Sequence, residues 1–161
     1  MHNGFASQTL NQVIHSMTEI TLEQANKIIE AAHKEGQQRE LAPLTIVVLD
    51  SGAHLKALSR ADGASLMRPQ IAIAKAWGAI GLGVSSRKLE KMSEERPMFM
   101  NALINISGQR LLPVPGGVLV RDKNNKIIGS VGITGDLSDQ DEHCAIVGIQ
   151  AAELIADSGI S

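Results

Sequence analysis

A predicted β-hairpin at residues 116–135, GGVLVRDKNNKIIGSVGITG, constrains the fold of this chain most. Two apolar runs flank a polar turn at residues 122–126, and asparagine in such a turn tolerates the positive φ that tight hairpins require. The rest of the chain contains no repeated strand–helix–strand pattern, so hairpin pairing dominates. The sequence therefore predicts an α/β (α+β) chain with a mainly antiparallel sheet and helices packed on it.

The elements around this hairpin follow from apolar periodicity and from capping signals. An amphipathic helix begins after Thr21, which forms a capping box with Gln24. The order then predicted is two paired strands at residues 44–50 and 54–62, a small-residue helix beyond Pro69, one or two short helices around Pro97, a brief edge strand at 110–117, the hairpin, and a last helix over 138–157.

Composition indicates one domain and excludes several function classes. The 161 residues carry a net charge of −2 with interspersed signs, and they include two Phe, one Trp and no Tyr, which argues against nucleic acid and anionic membrane as partners. Cys144 is alone, so no intrachain disulfide or cysteine zinc site forms. Without a signal peptide or a spanning apolar run, the expected location is cytoplasmic. Residues 1–17 are polar and weakly patterned and are interpreted as an N-terminal arm, with residues 18–161 as the domain.

A dense acidic segment, DLSDQDEHCA, follows the hairpin and opens the last helix. One interpretation is a cap, because acids at a helix N-terminus offset the macrodipole. The alternative is a site, since the segment holds more oxygens than a cap needs. Asp139 and His143 share a helix face at i, i+4 and form a candidate metal pair, but no third ligand is evident, so no metal site is predicted.

Three charged residues elsewhere are candidates for the same site. Arg60 and Asp62 follow a predicted strand, where Asp62-Gly63 is ordinary turn chemistry or part of a pocket. Lys75 lies in the apolar helical run IAIAKAWGAI. It is interpreted either as a snorkelling or ion-paired lysine or as a binding-site cation.

Haem ligation is open from the residues alone. Five histidines and six methionines are available, but no CxxCH attachment motif is present. Met98 and Met100 beside Phe99 are interpreted as core or oligomer contacts. A nucleophile elbow, a phosphate-binding loop and an HExxH motif are also absent from the sequence.

Several spaced segments together resemble the GlcG/HbpS-like family, which includes the C-terminal domain of PduO-type proteins. The segments are ITLEQANKIIEAA, TIVVLDSGAHLKALSRADGA, IAIAKAWGAIGLG, VPGGVLV and IIGSVGITGDLSDQDEHCA, and the resemblance spans residues 18–157. It implies a profilin-like fold, with a five-stranded antiparallel sheet flanked by helices on both faces. It also implies a homo-oligomer, a tetramer or octamer built from dimers. Some members bind haem and are linked to haem degradation or iron sensing, and others are encoded with catabolic enzymes.

The resemblance also assigns site residues. Positions that recur in the family suggest a polar cluster where strand ends meet the helix start. Lys75, Asp141 and Glu142 are the catalytic candidates, and the ligand-binding candidates are Arg60, Asp62, Gly116, Gly117 and Gly135. Leu137, Ser138 and the His143-Cys144 pair depart from the family pattern.

The sequence leaves three functions open, and it does not decide whether the chain is an enzyme. The first is a catabolic enzyme or binding protein for a carboxylate or carbonyl metabolite, with Lys75 and Arg60 on the anion and Asp141 or Glu142 as general base. The second is a haem- or tetrapyrrole-binding protein of haem degradation or iron handling, with haem as cofactor. The third is an oligomeric accessory protein of a catabolic enzyme.

Overall fold

The structure is a computed structural model that describes residues 19–160. Its elements are α1 (Leu22–Gln38), β1 (Thr45–Asp50), β2 (Leu55–Arg60), α2 (Arg68–Leu82), α3 (Ser86–Glu95), α4 (Pro97–Ile106), β3 (Gly117–Arg121), β4 (Ile127–Thr134), α5 (Ser138–Ala151) and β5 (Ile155–Asp157). The N-terminal arm predicted at residues 1–17 lies outside the described residues. Within those residues, none of the helices combines the length and the apolar character needed to cross a membrane.

One five-stranded sheet organises these elements in the order β2-β1-β4-β3-β5, and every pair is antiparallel. The predicted hairpin forms β3 and β4, with Asn125 at φ 64° in its turn. Helices cover both faces of this sheet, so the predicted mixed α/β architecture is confirmed.

Each face of the sheet has its own core. On one face, α1 and α5 pack against alternate strand residues such as Ile46, Val48 and Val131. On the other, Ala72 and Ala76 of α2 pack against Val47 and Leu49. A Cβ at Gly132 of β4 would lie 2.0 Å from the Ala72 carbonyl oxygen, so only glycine lets α2 approach the sheet this closely.

Two details of the predicted order are wrong. The segment around Pro113 and Pro115 forms no strand, because proline has no N–H to donate to a ladder. The last helix ends at Ala151 rather than near residue 157. Glu153 then adopts φ 59°, and the chain turns into β5, which pairs with β3 and supplies the fifth strand.

Helices α3 and α4 form a smaller apolar cluster beside the sheet. Met100 is buried with Leu89 and Leu111, which confirms it as a core residue. Met98 is 87% exposed, and Arg96 stacks on the Phe99 ring at 4.2 Å. A role for Met98 in an oligomer contact therefore stays a prediction.

Candidate functional site

The acidic segment after β4 brings two carboxylates under the surface of the protein. Asp141 and Glu142 lie in the first turns of α5 and are only 1% and 2% exposed. No side chain caps this helix at Leu137. Simple capping therefore does not account for the segment, because both acids have partners on other elements.

Asp141 forms a buried ion pair with Lys75 of α2. The Lys75 Nζ atom donates to Asp141 Oδ2 and to the Ile133 carbonyl oxygen, each at 3.0 Å, and the Asp136 N–H donates to Asp141 Oδ1 at 3.0 Å. Burial lowers the pKa of Lys75 and raises that of Asp141, while the attraction between the two charges opposes both shifts. Lys75 is therefore an ion-paired lysine and not an exposed binding-site cation, because its ammonium group is buried.

Two of the predicted ligand-binding glycines pack directly against this lysine. A Cβ at Gly117 would lie 2.3 Å from the Lys75 carbonyl oxygen, and one at Gly116, at φ 116°, would lie 2.9 Å from Nζ. Gly135 instead packs against Pro43, whose carbonyl oxygen is 2.5 Å from its Cβ position. In this structure the three glycines allow close approach of protein groups to one another.

Glu142 faces a different partner, the guanidinium of Arg87 on α3. Arg87 Nε and Nη2 lie 2.8 and 2.7 Å from Glu142 Oε2, and Nη2 also lies 2.5 Å from Asp139 Oδ1. These two carboxylates raise the pKa of Arg87, which stays charged. Glu142 Oε1 is buried, and no described group forms a hydrogen bond with it.

A cleft of about 350 Å³ opens beside this pair. Its lining consists of Arg87, Asp139, Glu142, His143, Ile146 and Ile160. The His143 Nε2 atom lies 2.9 Å from Glu35 Oε1, a carboxylate on α1 that also accepts from Arg39, and together these neighbours lower the pKa of Glu35. The cleft thus combines an imidazole, a guanidinium, two carboxylates and two isoleucines.

The structure separates several residues that the sequence analysis grouped. Arg60, the last residue of β2, and Asp62, in the turn after it, are both exposed, and among residues 19–160 no hydrogen bond or ion pair links them to Lys75, Asp141 or Glu142. Asp139 binds Arg87, so it is not paired with His143. The described part of the chain contains no cluster of three or more His, Cys, Asp or Glu suited to a metal ion.

Three residues of this region were missed by sequence reasoning. Arg87 stands in the charged helix SSRKLEKMSEE and Glu35 in the polar end of α1, where nothing distinguishes them from solvent-facing charges. Arg68 precedes Pro69 at the start of α2, and its Nη1 atom donates to Thr134 Oγ1 at 2.7 Å. Only the fold reveals these partners.

Comparison with known proteins identifies relatives of most of the described region. A family model described as haem degrading protein HbpS-like matches residues 20–150. No curated protein matches this sequence.

Solved structures share the fold. One is a PduOC:haem complex, which is 21% identical, with a TM-score of 0.78 over 86% of this chain and 99% of that chain. Another is Klebsiella pneumoniae protein ORFY, which is 25% identical, with a TM-score of 0.75 over 83% of this chain and 90% of that chain. HbpS is similar at 26% identity, with a TM-score of 0.72 over 82% of this chain and 89% of that chain.

Proposed function

This chain belongs to the HbpS-like family of haem-degrading proteins, and from that premise we propose that it binds haem or a related tetrapyrrole beside His143. The observation that carries the proposal is the position of His143, whose side chain is 38% exposed, lines the cleft and is held by Glu35. One of the similar structures, the PduOC:haem complex, is of a protein with haem bound, which supports the same function.

The donor set of the cleft fits such a group. Metal-binding histidines commonly use one ring nitrogen for the metal and the other for a carboxylate that fixes the orientation of the ring. Glu35 lies on the Nε2 side of His143, so iron would bind Nδ1, or Nε2 after exchange with Glu35. Ile146 and Ile160 offer apolar contact to a macrocycle, and Arg87 offers a cation for a propionate.

The protein residues have separate tasks in this proposal. Haem would supply iron-centred redox chemistry. Glu35 orients the His143 ring through their hydrogen bond, while Asp139 and Glu142 hold the Arg87 guanidinium at the cleft. Ile160 lines the cleft and is 64% exposed.

A hemin titration with histidine variants tests the proposal. The wild-type protein should shift the Soret band with saturation near one equivalent. His143→Ala should abolish that shift, and Glu35→Gln should weaken hemin about 10- to 100-fold, as expected for a carboxylate behind a ligating histidine. His54→Ala is the matched control, because His54 is exposed in the turn between β1 and β2. Equal Soret shifts for the His143→Ala, His54→Ala and wild-type proteins would refute the proposal.

The geometry gives less support to the other functions considered from sequence. Lys75 is enclosed by Asp141 and the Ile133 carbonyl, so a metabolite carboxylate would need other cations. A catabolic or accessory role, a homo-oligomer and a cytoplasmic location stay predictions.

A further inference from the structure

We propose that a second site, at the sheet end beside the N-terminus of α2, binds the carboxylate of a small amphiphilic molecule between Arg60 and Arg68. This site shares no residue with the His143 cleft, and the proposal does not depend on haem binding. It is carried by strand register, by a buried hydroxyl without a partner and by the surrounding apolar surface.

Strand register aligns a polar row across three strands. Thr45 of β1 lies directly opposite Arg60 of β2 on one side and opposite Thr134 of β4 on the other. Directly opposite residues of an antiparallel pair project to the same face with Cβ atoms about 5 Å apart. Since Thr134 Oγ1 accepts from Arg68, this face is the one that α2 covers. Arg60 and Arg68 therefore flank Thr45 on one face of the sheet.

The hydroxyl at the centre of this row has no protein partner. Thr45 is fully buried, and its Oγ1 atom forms no hydrogen bond with the described residues. Its neighbour Thr134 has the same side chain and is satisfied by Arg68. A buried hydroxyl without a partner is unfavourable, because it has lost its hydrogen bonds to water. A ligand oxygen placed between the arginines would accept from Thr45 and would replace Thr134 as the acceptor for Arg68.

The adjacent helix start strengthens the positive potential at this point. Helix α2 begins after Met67 with no side-chain cap and no acidic residue in its first turn. Helix α4 shares these two features, whereas α1 has a capping box, α3 is capped by Ser85, and α5 carries acids in its first turn. The partial positive charge at the start of α2 is therefore not offset locally.

Two carboxylates lie near this site. The Asp136 oxygens accept from the backbone N–H groups of Ala42 and Leu137, which together with the charge of Arg68 lower its pKa, and Asp62 is exposed beyond β2. Leu66 and Met67, just before Arg68 in the chain, are 82% and 65% exposed, and Leu137, just before α5, is 74% exposed. This combination of a carboxylate clamp and exposed apolar groups fits a molecule with one acidic head and a short apolar tail.

Octanoate binding, measured by titration calorimetry on the full chain, tests this site. Wild-type protein should bind octanoate more tightly than acetate or inorganic phosphate. Arg68→Gln should weaken octanoate about 10- to 100-fold, the equivalent of a lost charge-assisted hydrogen bond. Arg60→Gln should act in the same direction, and Arg96→Gln, at an exposed arginine between α3 and α4, should have no effect.

Thr45→Val separates binding from folding. Valine preserves shape and removes the unpaired hydroxyl, so this variant should be at least as stable as wild type while binding octanoate about 3- to 10-fold more weakly. His143→Ala should retain full octanoate affinity, which distinguishes this site from the cleft. Unchanged affinity in both Arg68→Gln and Thr45→Val, or equal affinity of wild type for octanoate and phosphate, would overturn the proposal.

Discussion

Asp141 and Glu142 are adjacent on α5 and almost equally buried, yet they lie in two regions of opposite character. Both oxygens of Asp141 are satisfied, by Lys75 and by the Asp136 N–H. Only one oxygen of Glu142 is bonded, to Arg87, and its side chain borders an open cleft. We call the surroundings of the Lys75–Asp141 pair the closed region, and the Arg87–Glu142 pair with its cleft the incomplete region.

Helix geometry explains the divergence. Successive residues of an α-helix are rotated by about 100°, so adjacent side chains point to different neighbours. Asp141 points toward α2, where glycines at 116 and 117 let the lysine approach, whereas Glu142 points toward α3. The comparison teaches that burial alone does not mark a site; the unsatisfied atom and the open space beside it do.

The largest effect is expected in the closed region. Lys75→Met leaves the Asp141 carboxylate buried without its counter-charge and should lower the free energy of unfolding by about 3–5 kcal/mol. Urea unfolding followed by circular dichroism measures this loss. The double variant Lys75→Met/Asp141→Leu should recover at least half of it, because no buried charge remains. A loss below about 1 kcal/mol in the single variant would show that the pair is not a closed structural unit.

A smaller effect is expected in the incomplete region. Glu142→Gln keeps the shape of the side chain and one acceptor for Arg87, so it should destabilise the protein by only about 1–2 kcal/mol. Asp141→Asn is the matched variant and should cost more, since it leaves Lys75 enclosed without a full negative charge. If urea unfolding shows the same loss in free energy of unfolding for both variants, Asp141 and Glu142 do not differ in the way proposed.

Much of the fold was predictable because its signals are local. The Thr21 capping box, the hairpin turn around Asn125 and the alanines of α2 each act within a few residues of sequence. Strand β5 was not predictable, because three residues that pair with β3 carry no periodicity of their own and follow directly from an apolar helix pattern.

The candidate site was predictable only in part. Lys75, Asp141 and Glu142 attract attention as charges in apolar or capping contexts, and the structure places all three near the start of α5. Arg87, Glu35 and Arg68 lie on other elements in ordinary polar sequence, so their roles depend on tertiary contacts. Sequence also grouped Arg60 with Lys75, whereas strand register places it beside Thr45 instead.

The smallest expected effect concerns Asp136, a third carboxylate of the same segment that is only partly buried. Its pKa is lowered because the Ala42 and Leu137 N–H groups donate to the charged form. A carboxylate whose folded pKa is depressed contributes stability above its unfolded pKa, which is 3.8 here, and loses it as pH falls through the folded value. Asp136→Asn should therefore be slightly less stable than wild type at pH 7, and the difference should shrink below pH 3.8. Urea unfolding of both proteins at pH 7 and at pH 3 measures it. A difference that grows toward acid would contradict this prediction, because it would mean that the hydrogen bonds favour the neutral carboxyl.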